Sequence, residues 1–418
     1  MLWSSAGKTK RRGERGNLVV ITGLMAIPLS MIVVMTLEMV SLSNERARMQ
    51  AAVDAAALAG ARELAIAGAN ARNANGFAET FALNQVADLS PRVAMTFTAN
   101  QNADGGFEVS GVGVRGSFFG NLVPPGGFTI RVSAVGEVLN QQPLCVLILP
   151  LSPPRNEVSL TARSNSNIQA ANCLVHSNST LLTSENAVIK AGTIQTTGTA
   201  DGTGFFPAAN TGAIRVSDPF ASRVMKRDCA GRWVGTSPLH FRGNTNTSLA
   251  SGTLARELIV SGNATLTLGP GDHYFCGGVK VEGNATLKGD NIVMILEGAK
   301  GFQASQSTTL SLTGRQTGDW AGFLLVTDRS NTSDVLISSK SADKLLGTIY
   351  LPSSKLIINS AGQVAQDSNW SVVVAQDMFM DKNATLVINT DYAGSAVPVP
   401  GGVGNKAGNA KSGTRLKR

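Results

Sequence analysis

Charge and aromatic side chains are scarce in this chain: Asp, Glu, Lys and Arg make up 15% of its 418 residues, and Phe, Trp and Tyr only 5%. No HExxH, GxSxG, P-loop or GxGxxG stands in a context that would give it chemistry. The carboxylates are scattered, Asp377 and Asp381 being the nearest approach to a pair, and Asp272-His273 follows a Gly-Pro-Gly turn that reads as a loop. Neither catalytic residues nor a cofactor is therefore expected, and the chain does not read as an enzyme. A carbohydrate-active enzyme on the same scaffold is the alternative, to be recognised by carboxylates converging on one groove. Acidic residues are missing after Asp391, while Lys406, Lys411, Arg415, Lys417 and Arg418 follow it. Without stacking aromatics beside it, this basic stretch reads as a solvated tail and not as a nucleic-acid site.

Against this background one long apolar run stands out. Residues 18–37 contain no charge, and at about 1.5 Å per residue they cross a hydrocarbon core of about 30 Å. The run is too long for a signal-peptide core and no small-x-small cleavage site follows it. Lys8, Lys10, Arg11, Arg12 and Arg15 precede it, relieved by Glu14, whereas Glu38 and Glu45 come first beyond it. The N-terminus is therefore expected in the cytoplasm and the bulk of the chain across the membrane. Pro28 falls mid-span, where a bend is tolerated if neighbours satisfy the freed carbonyl. Glu38 marks the outer boundary, expected to reach interfacial water, with a contact to a partner helix as the alternative.

Beyond the span, alanines at 51, 52, 55, 56, 57, 59 and 61 give strong helix propensity and a seam of small side chains. With Gly60 they permit close approach of another backbone, of a partner or of a second copy, unless the helix is simply a stalk. From residue 93 onward short alternating runs separated by Gly, Asn and Pro-Pro-Gly turns read as strands. The expected order is a basic cytoplasmic tail (1–17), a transmembrane helix (18–40), a helical stalk (41–90), a small β domain (91–140), a β-helix-like domain (141–396) and a disordered basic tail (397–418).

The large domain repeats itself. Gly-Asn-Ala-Thr-Leu at 262–266 returns at 283–287, and Asn-Ala-Thr-Leu at 383–386; looser versions lie at 165–168, 178–182, 186–189 and 308–312. Each is a small polar turn leading into a short strand, and a period near twenty suits a β-solenoid in which each coil buries its apolar side against the next. Asn tolerates the left-handed backbone of such corners. The fold class is thus mainly β, a right-handed β-helix, with a β-sandwich as the alternative. The longer runs at 291–296, 322–327, 346–351 and 371–375 are expected in the same stack.

Cys145, Cys173, Cys229 and Cys276 all fall in this domain, where an oxidising compartment permits disulfides. Four cysteines allow three pairings. Cys145–Cys173 and Cys229–Cys276 are expected because neighbours in sequence become neighbours in stacked coils. A metal site is the sharper alternative, since Cys173-x-x-His176 and His273-x-x-Cys276 have ligand spacing.

The N-terminal 55 residues carry a family resemblance. A basic tract, Arg15-Gly16-Asn17, an apolar span broken by Pro28, and QAAVDAAALAGAREL at 50–64, with Asp54, Ala55, Ala56, Leu58, Ala59 and Gly60, resemble the anchor of TadE/TadG-like proteins of bacterial Flp (tight adherence) pilus systems. The resemblance implies a single-pass bacterial inner-membrane protein with a periplasmic or extracellular C-terminal domain, serving pilus assembly or adhesion. Its implied partners are the membrane, pilus assembly proteins and, beyond them, peptidoglycan, outer-membrane components or surface polysaccharide. Glu38 departs from the Asp that many relatives carry after the span. Prepilin-like relatives are cut after a Gly with a Glu five residues on, and neither Gly13 nor Gly16 has one. The metal-dependent adhesion site of larger relatives is also missing, since Pro150 follows the strand where its Asp would stand.

Overall fold

The computed structural model describes residues 15–64, 71–102, 106–117, 127–140, 143–149, 158–225, 229, 235–403 and 413–417. Its first element, α1 (Arg15–Leu64), is a single helix that continues through Pro28. Fifty residues at 1.5 Å each give about 75 Å. The apolar stretch stands clear of the rest of the protein, with Leu24 74% and Ile32 64% exposed. It is one helix long and apolar enough to cross a membrane.

From Glu38 onward one face of α1 becomes buried, at 38, 45, 49, 52, 53, 56, 57, 60, 61 and 64, the three-to-four spacing of a helix packed along its length. The segment expected as a stalk is instead half of a compact module. Helix α2 (Ala71–Gln85) packs against α1, and both lie on an antiparallel sheet of β1 (Val93–Gln101), β2 (Phe107–Arg115) and β3 (Phe128–Asn140). The small-residue seam therefore meets the chain's own sheet. Glycines on both sides set how closely they approach: a Cβ on Gly60 would fall 2.0 Å from the Phe107 ring, and one on Gly136 would fall 2.4 Å from the carbonyl oxygen of Ala57. A fourth strand comes from the far end of the sequence. Gly413–Lys417 pairs antiparallel with β3, Gly413 opposite Asn140 and Lys417 opposite Val135. This corrects the disordered-tail reading over those residues, and Val397 and Val403 are buried as well; 404–412 and 418 lie outside the described residues. Leu416 packs against the module's core, and backbone pairing with β3 holds the rest of the strand despite its charge.

The large domain is a parallel β-helix, which excludes the sandwich. Three parallel sheets run along it, and the repeats occupy the same corner of successive turns. Leu266 pairs with Leu287 and Leu287 with Leu310, while Leu386 pairs with Ile168 and Ile168 with Ile189. The corners use left-handed backbone at Asn165, Asn186 and Asn383 and at Gly262 and Gly283. Amide ladders join them: Asn263 donates to Asn244 (3.0 Å), Asn284 to Asn263 (3.2 Å) and Asn165 to Asn383 (3.2 Å).

The turns are not stacked in chain order. The last turn pairs with the first through all three sheets, Val373 with Val146, Met378 with Leu160 and Leu386 with Ile168. The chain thus enters the solenoid at mid-length and builds to one end by 206. It then passes along the outside and winds back from the opposite end, beginning at Gly235–Phe241. The outside passage covers the third sheet. Val216 and Phe220 pack on it with Val397 and Val403, which explains why Leu144–Ile148, Ile292–Leu296, Phe323–Thr327 and 371–375 are buried on both faces and apolar but for Thr327 and Ser371.

Candidate functional site

The anchor motif has a definite geometry where α1 leaves its apolar stretch. Arg15, Gly16 and Asn17 open the helix, and Pro28 is exposed within it. Glu38, expected to reach interfacial water, is instead buried at 3% exposure, because it lies two turns before Glu45 on the face that α1 turns to the module. Glu45 accepts a 3.0 Å hydrogen bond from Arg115 Nη1 at the end of β2, and both side chains are almost wholly buried. An ion pair in this setting fixes the register of helix on sheet more than it adds stability. Gln50 reinforces the same register, its amide donating to Asp54 Oδ1 (2.8 Å) and to the Ser133 carbonyl on β3 (2.9 Å). Asp54 and Gly60 are therefore both parts of the helix–sheet contact. Sequence reasoning missed Arg115 and the pairing role of Glu45; the seven-residue spacing of Glu38 and Glu45 in phase with Met49 and Ala52 was the available signal.

In the solenoid, Cys145 is joined to Cys173 and Cys229 to Cys276, with Cα separations of 5.7 and 5.6 Å. Both Cys-His pairs suggested as metal ligands thus have their sulfurs in disulfides. Among the described residues no group of three or more His, Cys, Asp or Glu side chains converges. Asp381 forms an ion pair with Arg163 (3.1 Å). His273 is buried and its Nε2–H donates to the Gly269 carbonyl (2.7 Å); burial holds its imidazole below the usual range.

His176 and Asn178 form a structural knot under the outside passage. The Asn178 amide donates to the Val216 carbonyl (2.7 Å), and its Oδ1 accepts from the Val216 N–H (2.9 Å) and from His176 Nε2 (3.1 Å). Arg329 holds the same passage by donating to the carbonyls of Phe220, Ala221 and Arg223. The Tyr350 hydroxyl donates to Asp218 (2.7 Å).

Burial pushes His176 down to about 4, the bond to Asn178 opposing. The unfolded chain binds a proton below about 6.5 that the fold refuses until about 4, so His176 costs no stability above 6.5. About 3 kcal/mol is lost as pH falls between those values. Glu63 in α1 has the opposite sign, because burial raises its carboxyl to about 7, Arg62 opposing; the module gains stability as pH falls from about 7. Thermal unfolding monitored separately in the two domains between pH 7 and 4 is expected to show the solenoid weakening while the module does not, and His176→Asn is expected to flatten the solenoid's slope.

An open polar groove of about 520 Å³ lies where the last turn meets the first. Gln169, Asn172, Asp367, Asn369, Thr390 and Asp391 line it, with no lysine or arginine among the described lining residues. Its walls are tied by Asn389, which donates to the carbonyls of Gln366 (3.1 Å) and Ser368 (2.9 Å), and by Asn369, which donates to Asp391 (3.3 Å). Amides, a hydroxyl and two carboxylates make it suited to a neutral or cationic ligand rich in hydrogen-bonding groups. These residues come together only because the turns are permuted, and their spacing in sequence gave no sign of it.

Residues 16–63 match the family model described as putative Flp pilus-assembly TadE/G-like. That stretch is α1 almost end to end, both its exposed apolar part and its buried seam. Neither a curated protein nor a solved structure matches the chain.

Proposed function

We propose that this chain, TadE/G-like over the helix that anchors it, is a non-enzymatic assembly protein of a Flp-type pilus system. It sits once in the bacterial inner membrane with its N-terminus in the cytoplasm, and its β-helix stands in the periplasm or beyond. The observation that carries the reading is the coincidence of the family match with α1, whose apolar part is uncovered and whose later turns are seated on a folded module. The excess of cations before the span supports the orientation. A tagged copy is expected at full length in the inner membrane, and loss of the gene is expected to reduce surface pili. A shortened chain recovered from sheared surface material would overturn the assembly role in favour of a processed pilus component.

For the solenoid, the polar groove supports contact with an envelope glycan, such as peptidoglycan or a surface polysaccharide. Co-sedimentation of the chain with insoluble peptidoglycan is the direct measurement. Asn172→Arg, which places a bulky cation in the groove without touching the core, is expected to reduce binding roughly tenfold, about 1.4 kcal/mol. Unchanged binding would remove the groove from the reading.

A further inference from the structure

The small sheet ends in β1, and among the described residues no strand pairs with its outer side. In the pairing of β1 with β2, the Ala99 N–H points away from β2, because it donates to the Glu79 carboxylate of α2 (3.0 Å). Residues alternate in direction along an antiparallel strand, so Met95 and Phe97 also turn their N–H and C=O groups outward. Between Val93 and Gln101 there is no charge and no proline, whereas sheet edges are ordinarily blunted by one or the other. Glu79 blunts only the end of β1 next to Ala99. One helical turn further along α2, which packs on β1, Leu83 is 43% exposed, and Met95 on β1 is half-buried; both leave apolar surface uncovered.

We propose that this edge receives an extended, uncharged strand from another envelope protein, which continues the sheet and lays apolar side chains on Leu83 and Met95. A second copy of this chain, paired antiparallel through the same edge, is the wrong occupant. Along α1 the contacts run from Met49, near Gly113 and Val93, to Gly60, against Phe107, and Val93 and Gln101 are the two ends of β1. Helix and strand therefore point the same way. Antiparallel pairing of β1 with its own copy would invert one module and direct the two apolar spans oppositely, which two chains anchored in one membrane cannot do. That exclusion rests on the anchoring proposed above; the edge itself does not.

The test uses the full chain in detergent and needs no pilus, so it fails or succeeds independently of the assembly role. Residue-resolved amide exchange is expected to be fast at Met95 and Phe97 and slow at Ala94, Thr96 and Thr98. An alternating Thr-Val heptapeptide with a lysine at each end is expected to slow Met95 and Phe97 at least roughly tenfold. Met95→Pro removes an outward N–H while sparing the ladder to β2, and is expected to abolish protection at Phe97 with Thr96 and Thr98 still slow. Leu83→Lys keeps the backbone edge intact and is expected to weaken the peptide. Slow exchange at Met95 and Phe97 without peptide, or no effect of peptide, would overturn the proposal. Protection that grows with protein concentration alone would overturn it in favour of a second copy.

Discussion

Replacing Arg115 with Met is expected to cost the membrane-side module about 3–5 kcal/mol, because it leaves a carboxylate buried without its counter-charge. Glu45 is 3% exposed and Arg115 5%, at a separation of 3.0 Å, so little water is at hand to take over. Replacing both at once, Glu45→Met with Arg115→Met, is expected to recover most of that loss, since two apolar side chains of similar length need no partner. Thermal unfolding of the single and double variants measures both quantities. A single variant that unfolds like the parent would mean that the pair is solvated, and the helix–sheet register would then rest on Gln50 and the glycine contacts. A double variant that is stable yet misassembled would assign the pair to specificity.

Loss of the Cys145–Cys173 bridge is expected to be the most damaging change in the solenoid, about 2–5 kcal/mol in a Cys145→Ala, Cys173→Ala double variant. Both side chains are fully buried. They tie Leu144–Ile148 to the strand Asn167–Ser177, and these two strands meet the last turn at Val373 and Leu386. The bridge therefore guards the seam at which the permuted halves join. The denaturant midpoint of the solenoid is expected to fall on mutation and to fall further on reduction of the parent protein, which opens both bridges. Cys229–Cys276 secures the chain where it re-enters at the far end, with the Cys229 N–H bonded to Glu297 (2.7 Å), and its removal is expected to cost less because fewer turns depend on it. Equal effects of the two deletions would show that the seam is no weaker than the ends.

The local geometry of the fold was legible in the letters. A turn of Asn or Gly followed by a short strand specifies one corner and one sheet of a coil, and the two exact repeats at 262–266 and 283–287 stack directly, Thr265 on Thr286. Similarly, a helix whose small residues fall every third or fourth position announces a close neighbour. The identity of that neighbour was not legible: Gly60 and Ala57 do not encode that Phe107 and Gly136 will lie against them. The order of turns was hidden for the same reason. Every coil offers nearly the same edge, so no local pattern distinguishes a turn that stacks on its predecessor from one that stacks on a turn two hundred residues away. The polar groove inherits this obscurity, since Asn172 and Asp391 come from the two sides of the seam.

Because the β-helix is inserted between β3 and the strand Gly413–Lys417, the small sheet keeps a record of how much of the chain has been made. Strands β1 to β3 can pair as soon as residue 140 is available, but their fourth neighbour arrives only after the entire solenoid has followed. Until then the side of β3 that will pair at Val135, Gly136 and Glu137 stays open, visible to any protease or chaperone that seeks unpaired strands. Closure of that side distinguishes a chain completed through Lys417 from one cut short, on the same module that packs against α1.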